Sequence, residues 1–377
     1  MSCSQEALAG PLVELLAYPG HSTSVAAAWC LRSFCYSTPL RLPKNVLSLM
    51  ELLQRDISAL ATPNATADVH RRSLGHTYGL AALFSVIPDR PLYVSYDLSA
   101  KLLDIAIQIL KKAGDHDLAV AGVEIEIAWT CIASLMSLGP NFVRAHLSQL
   151  LVLWRNALPK PTSKDTANGA TRSAADWAFL LRVRESSLSA VLAFLMHNSS
   201  LVTLDVARRL ASIISNALLF SNAFVAQYRE ESHDGPLPVK TEPTLQVREA
   251  MLRRRIFRCF SVLGFVGLSE SAQLSLLQST ISLFASPEGF SGSSAQAAIA
   301  TSAGTFSSLW QVSDGYAYGV SSAELNRLPQ FGDGGDNTKG KMNLLNRDAI
   351  EAAFDNMVQF GYLMVVICSK QLLHIAF

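Results

Sequence analysis

The stretch from Ile125 to Pro159, IEIAWTCIASLMSLGPNFVRAHLSQLLVLWRNALP, constrains this chain most. Ile125, Ala128, Trp129, Ile132, Leu135 and Met136 recur at the three-and-four spacing that places side chains on one face of a helix. Gly139 can supply a left-handed cap and Pro140 fits the first turn of a following helix, so the two helices meet at a corner with almost no loop. They are expected to run antiparallel. Phe142, Val143, His146, Leu147, Leu150, Leu151 and Trp154 carry the stripe through the second half, with Arg144, Ser148, Gln149 and Arg155 facing elsewhere. Neither half has a fully polar side, which predicts that each is covered by neighbouring helices on two sides, as in a unit inside a stack.

The same signature recurs. Val25-Ala-Ala-Ala-Trp29-Cys-Leu echoes Ile125-Glu-Ile-Ala-Trp129-Thr-Cys, and GHTYGLAALF, centred near position 79, lies midway between them. The spacing of about fifty residues slightly exceeds the roughly 40 to 47 residues of HEAT or armadillo units and leaves room for loops. Partner helices are predicted over 45–60 and 92–113, with proline-flanked corners at 39–43 and 88–91. Further helices are expected over 5–18, 22–36, 174–196, 202–224, 245–266 and 272–284, with a small-residue helix ending near Trp310. The fold class is therefore read as all-α, an α-solenoid of stacked antiparallel helix pairs over 1–310. Polar insertions interrupt it near 159–173 and 230–244, a linker is placed at 311–343, and a terminal helix with an irregular tail at 344–377.

With half of its 377 residues hydrophobic and only 16% charged, the chain has ample material for a core. A net charge of +1 offers no bulk attraction for nucleic acid. Six cysteines, none in a C-x-x-C pair, read as buried thiols in a reducing compartment. The N-terminus carries no signal-peptide pattern, which places the chain in the cytosol. The apolar run FGYLMVVIC near the C-terminus falls short of the roughly 20 residues that span a bilayer.

The chain contains no phosphate-cradling G-x-x-x-x-G-K-[ST], no H-E-x-x-H, no G-x-G-x-x-G after a strand and no G-x-S-x-G elbow. No catalytic, cofactor-binding or metal-ligating residue is assigned, and neither a cofactor nor a small-molecule substrate is expected. His70 and His76 stand six residues apart, too far round a helix to share a ligand, and His146 reads as a packed helix residue. Trp29, Trp129, Trp154, Trp177 and Trp310 are expected in the core between helices, each indole nitrogen bonded to a corner carbonyl. Asn64-Ala-Thr and Asn198-Ser-Ser match the glycosylation pattern, which has no meaning in the cytosol. The one charged constellation is Arg248, Arg253, Arg254, Arg255 and Arg258. Met251, Leu252, Ile256, Phe257 and Phe260 are taken to fix the opposite face, leaving the arginines either as a solvated face or as a docking patch for an acidic peptide or lipid headgroup.

AAAWCLR at 26–32, LGHTYGLAAL at 74–83 and AWTCIASLMSLGPNFVRAHLSQLLVLWRNALPK at 128–160 resemble the HEAT-repeat-containing protein 5 family, which includes the fungal large accessory protein of the first clathrin adaptor complex. The likeness runs over roughly 20–310 and is most specific in LGP-x-x-V-R-x-H-L-x-x-L-L-x-L-W-R-N. Members of that family are much longer, so this sequence is expected to be a piece of one. The resemblance implies a non-enzymatic scaffold whose partners are the clathrin adaptor complex 1 or its accessory factors. It implies peripheral association with trans-Golgi, endosomal or clathrin-coated membranes, and action in endosome-to-Golgi retrieval and endocytosis. A generic HEAT scaffold of another pathway, such as nuclear transport, has the same physics and is the alternative.

Overall fold

A computed structural model describes residues 2–19, 21–62, 66–161, 172–228 and 245–263. About 86% of these residues are helical and none forms a strand, so the all-α expectation holds. The insertions near 159–173 and 230–244, in large part, and all expectations beyond residue 263 lie outside the described residues. The helices are α1 (Ser2–Leu16), α2 (His21–Ser37), α3 (Leu42–Leu60), α4 (Ala67–Phe84), α5 (Tyr96–Lys112), α6 (Leu118–Met136), α7 (Pro140–Val143), α8 (Leu147–Ala157), α9 (Ala174–His197), α10 (Leu204–Gln227) and α11 (Leu245–Leu263).

Their contacts form a chain of neighbours. α2 packs on α4, α4 on α6, α6 on α9 and α9 on α11. Each of these central helices also receives a flanking one: α1 lies against α2, α3 against α4, α5 against α6, α8 against α9 and α10 against α11. Burial follows the division. In α6, 15 of 19 residues are buried. The buried residues of α3, in contrast, form the single stripe Leu42, Asn45, Val46, Leu49, Met50, Leu53, Asp56 and Leu60, the pattern of a helix with one wet side.

α6 is long and apolar enough to cross a membrane by length and composition, yet most of it is buried inside the fold. Its surroundings replace lipid with other helices. It begins seven residues before Ile125, because Asp117 Oδ1 accepts the amide protons of Ala119 and Val120, each at 2.9 Å. Ser95 caps α5 in the same way, so that helix starts later than the apolar pattern indicates. Leu92 lies outside it and is 94% exposed.

The corner after α6 differs from expectation in two respects. Gly139 has the expected positive φ of 87°, but its ψ of −178° is extended and not left-handed helical. The second half of the stretch is also two helices: α7 passes through a 3-10 turn at Arg144–His146 before α8 begins. Phe142 is the pivot, its ring 5.4 Å from Tyr96 and 5.1 Å from His146. Full enclosure holds for α6 but not for α8, where Leu150 and Trp154 are buried while Ser148, Gln149, Val152 and Arg155 are exposed. Asn198, wholly buried, caps the other side of this region by donating Nδ2 to the Met136 carbonyl at 2.9 Å. That satisfies an orphan carbonyl at the end of α6.

Trp129, Trp154 and Trp177 are core residues, and Trp29 packs partly buried against that core. Trp154 Nε1, however, is buried without a hydrogen-bond partner among the described residues. Its ring packs 5.4 Å from Phe194, so apolar contact decides its place where a carbonyl bond was expected. α4 carries Gly75 and Gly79 beneath the end of α1. A Cβ on Gly75 would stand 1.8 Å from the Leu16 backbone oxygen, and one on Gly79 2.4 Å from Leu16 Cδ1.

Two stability outcomes follow. Trp129→Ala, emptying a side chain that is 1% exposed, should cost about 3 to 5 kcal/mol, and an unchanged melting temperature would contradict this packing. Gly75→Ala should cost about 1 to 3 kcal/mol by overpacking against Leu16, measurable by denaturant titration, whereas a neutral result would mean that α1 does not sit there.

Candidate functional site

α4, α6 and α9 are buried along most of their length, so polar groups they turn into the fold must find partners within the protein. They carry several. Glu126 on α6 is the junction of a buried network. Tyr78 on α4 donates its hydroxyl to Glu126 Oε1 at 3.0 Å. Arg182 Nε on α9 lies 3.1 Å from Glu126 Oε2, and Arg248 Nη1 on α11 lies 3.4 Å from the same oxygen. Arg248 Nη1 is also 3.7 Å from Glu185 Oε2 on α9, whose Oε1 pairs with Arg255 of α11. Arg255 additionally donates to the Glu185 backbone carbonyl at 2.8 Å. One network of charges thus ties α4, α6, α9 and α11 together.

Its electrostatics follow from burial. Burial, reinforced by the Glu126 carboxylate, holds the Tyr78 phenol well above its ordinary range, so it stays a proton donor. Burial also pushes the Glu185 carboxyl up, against the pull of Arg255 and Arg248. Nearby, the Arg184 guanidinium stacks 3.8 Å over the Phe220 ring. On α11, Glu249 accepts from the Ser221 hydroxyl of α10.

A second buried group lies nearer the N-terminus. Asp56 of α3, wholly buried, faces α4, with Oδ2 2.6 Å from His76 Nδ1 and Oδ1 2.8 Å from Arg72 Nε. Burial opposes its ionisation, but the hydrogen bond and charge of His76, joined by Arg72, outweigh it and lower the Asp56 pKa. A third pair, His116 Nδ1 with Glu124 Oε2 at 2.8 Å, links the residue just after the 3-10 turn at Ala113–Asp115 to α6. The Glu126 network and the Asp56 group escape a motif search because their partners come from different helices. The legible signal is a charged residue inside an otherwise apolar stripe, as with Glu126 between Ile125 and Ile127.

The arginine helix needs correction. Of Arg248, Arg253, Arg254, Arg255 and Arg258, the structure turns Arg248 and Arg255 inward, each 6% exposed. The side chains of Arg253, Arg254 and Arg258 lie outside the described residues. Arg248 and Arg255 are seven residues apart, about two turns of helix, which puts them in phase with the buried Leu252, Ile256, Cys259 and Leu263 and not opposite them.

Among the described residues no group of three or more His, Cys, Asp or Glu is placed to hold a metal ion. Cys35, Cys131 and Cys259 are buried thiols outside any disulfide, with burial raising Cys35 to about 11 and Cys131 to about 12, while Cys30 is exposed. Asn198, the first residue of its glycosylation-like triplet, is buried and donates to the Met136 carbonyl. An open cleft of about 570 Å³ is lined by Tyr36, Pro39, Arg90, Pro91, Leu92 and Tyr93 among others, with the Arg90 guanidinium 4.4 Å over the Tyr36 ring.

No family model matches the chain, and no solved structure matches it.

Because its pKa is lowered by folding, Asp56 contributes stability that is fully present above its ordinary value of 3.8 and is lost as pH falls through the folded-state value. Asp56→Asn should therefore be less stable than the wild type at pH 7, with the gap narrowing as the medium is acidified below that value. A constant gap in melting temperature across the acid range would show that Asp56 is not ionised against His76 and Arg72.

Proposed function

We propose that this chain is part of an α-solenoid scaffold of the HEAT type that binds other proteins in clathrin-adaptor-dependent traffic. The observation that carries the reading is the unbroken succession of central helices, α2, α4, α6, α9 and α11, each with a flanking helix laid against it. Such a succession exposes long surfaces made of flanking helices and corners, which suits the capture of extended or multiple partners. The pathway rests on the likeness of residues 128–160 to the HEAT-repeat-containing protein 5 family. In that reading the partner is the clathrin adaptor complex 1 or an accessory factor, and the site of action is the cytoplasmic face of trans-Golgi or endosomal membranes. No chemistry is assigned to the buried charges, whose distances to one another are those of structural pairing.

Two measurements test this. A compact chain of 377 residues has a radius of gyration of about 21 Å, and a solenoid should exceed that clearly in X-ray scattering. A value at the compact figure would end the solenoid reading. Affinity capture from a cell lysate should enrich clathrin adaptor subunits. Their reproducible absence together with enrichment of a transport GTPase would move the scaffold to nuclear transport instead.

A further inference from the structure

α11 is seated by charge as well as by apolar contact. Leu252, Ile256, Cys259, Phe260 and Leu263 are buried, as are Arg248 and Arg255 in phase with most of them. Two carboxylates from two other helices receive these arginines. Glu126 of α6 takes Arg248, and Glu185 of α9 takes both, Arg248 through Oε2 and Arg255 through Oε1 and the backbone carbonyl. Glu249 meets Ser221 of α10. The apolar contacts alone are a weak guide to register, because leucine and isoleucine exchange places in a core at modest cost. Charges are not so forgiving. Sliding α11 by one turn would carry a guanidinium against apolar side chains and leave Glu185 facing one, and an uncompensated buried charge is strongly destabilising.

We propose that Glu185, with Glu126, Arg248 and Arg255, forms a charge-coded lock that selects the register of α11 on α6 and α9, and that α11 is released as a single unit when the code is broken. Glu185 is the hub, since it alone meets both arginines through separate oxygens. The inference stands on contacts within the chain and is independent of the scaffold's pathway.

Amide hydrogen exchange on the full chain, resolved by segment, tests it. Glu185→Gln keeps the shape and removes the charge, and Arg255→Met removes the other partner. Each should lower protection across residues 248–263 by about tenfold or more, while α2 to α5 stay within about twofold of the wild type. The double variant Glu185→Leu with Arg255→Met replaces the pair by apolar groups and should regain protection to within about threefold of the wild type. Unchanged exchange in Glu185→Gln would overturn the lock. So would loss spread evenly over all helices, or a double variant as unprotected as the two single losses combined. Should a single variant fail to fold, the double decides alone: a folded double variant supports the lock and an unfolded one sinks it.

Discussion

Enclosure of α4, α6 and α9 is the constraint on which the rest of the structure depends. A helix with neighbours on every side has no water to satisfy its polar groups, so any ionisable residue in it must be matched by a residue on another helix. Glu126 shows the consequence. It sits in the most apolar helix of the described chain, and its two oxygens reach Tyr78, Arg182 and Arg248, one from each of three other helices. Paired charges of this kind contribute little net stability compared with a well-packed apolar substitute, but they penalise wrong pairings heavily. The core therefore supplies the driving force for association, and the charges discriminate between arrangements that the core alone would tolerate.

The flanking helices follow a different rule. α3 and α8 each keep a wet side, so their stripes are narrow and their exposed positions can change without disturbing the core. Asp56 is the exception on α3, a charge turned inward and met by His76 and Arg72 from α4. Ionic contacts between a flanking and a central helix, and among central helices, thus use the same chemistry at both ends of the described chain. Small residues do complementary work: Gly75 and Gly79 let the end of α1 approach α4 at distances no side chain would permit.

The helical class, the recurrence of Trp29 and Trp129 a hundred residues apart and the core role of Trp129, Trp154 and Trp177 were legible in the sequence, because they depend on local periodicity and on residue volume. Helix ends were less legible. Asp117 and Ser95 decide where α6 and α5 begin through one or two side-chain hydrogen bonds that compete with the apolar pattern. Arg248 and Arg255 were misplaced because a run of like charges suggests an exposed face, solvated or docking. The seven-residue spacing of Arg248 and Arg255, in phase with Leu252 and Ile256, carried the correct information.

What the sequence by itself determined is that this chain makes helices with too much apolar surface to stand alone, since that follows from spacing and composition within each segment. Which helix covers which, and which carboxylate answers which guanidinium, was decided only in the tertiary structure. Glu185 and Arg255 are seventy positions apart, and Tyr78 and Glu126 forty-eight. No periodicity within a helix encodes such a pairing, because it arises when two enclosed surfaces, each carrying an unmatched charge, are brought together and water is excluded from between them.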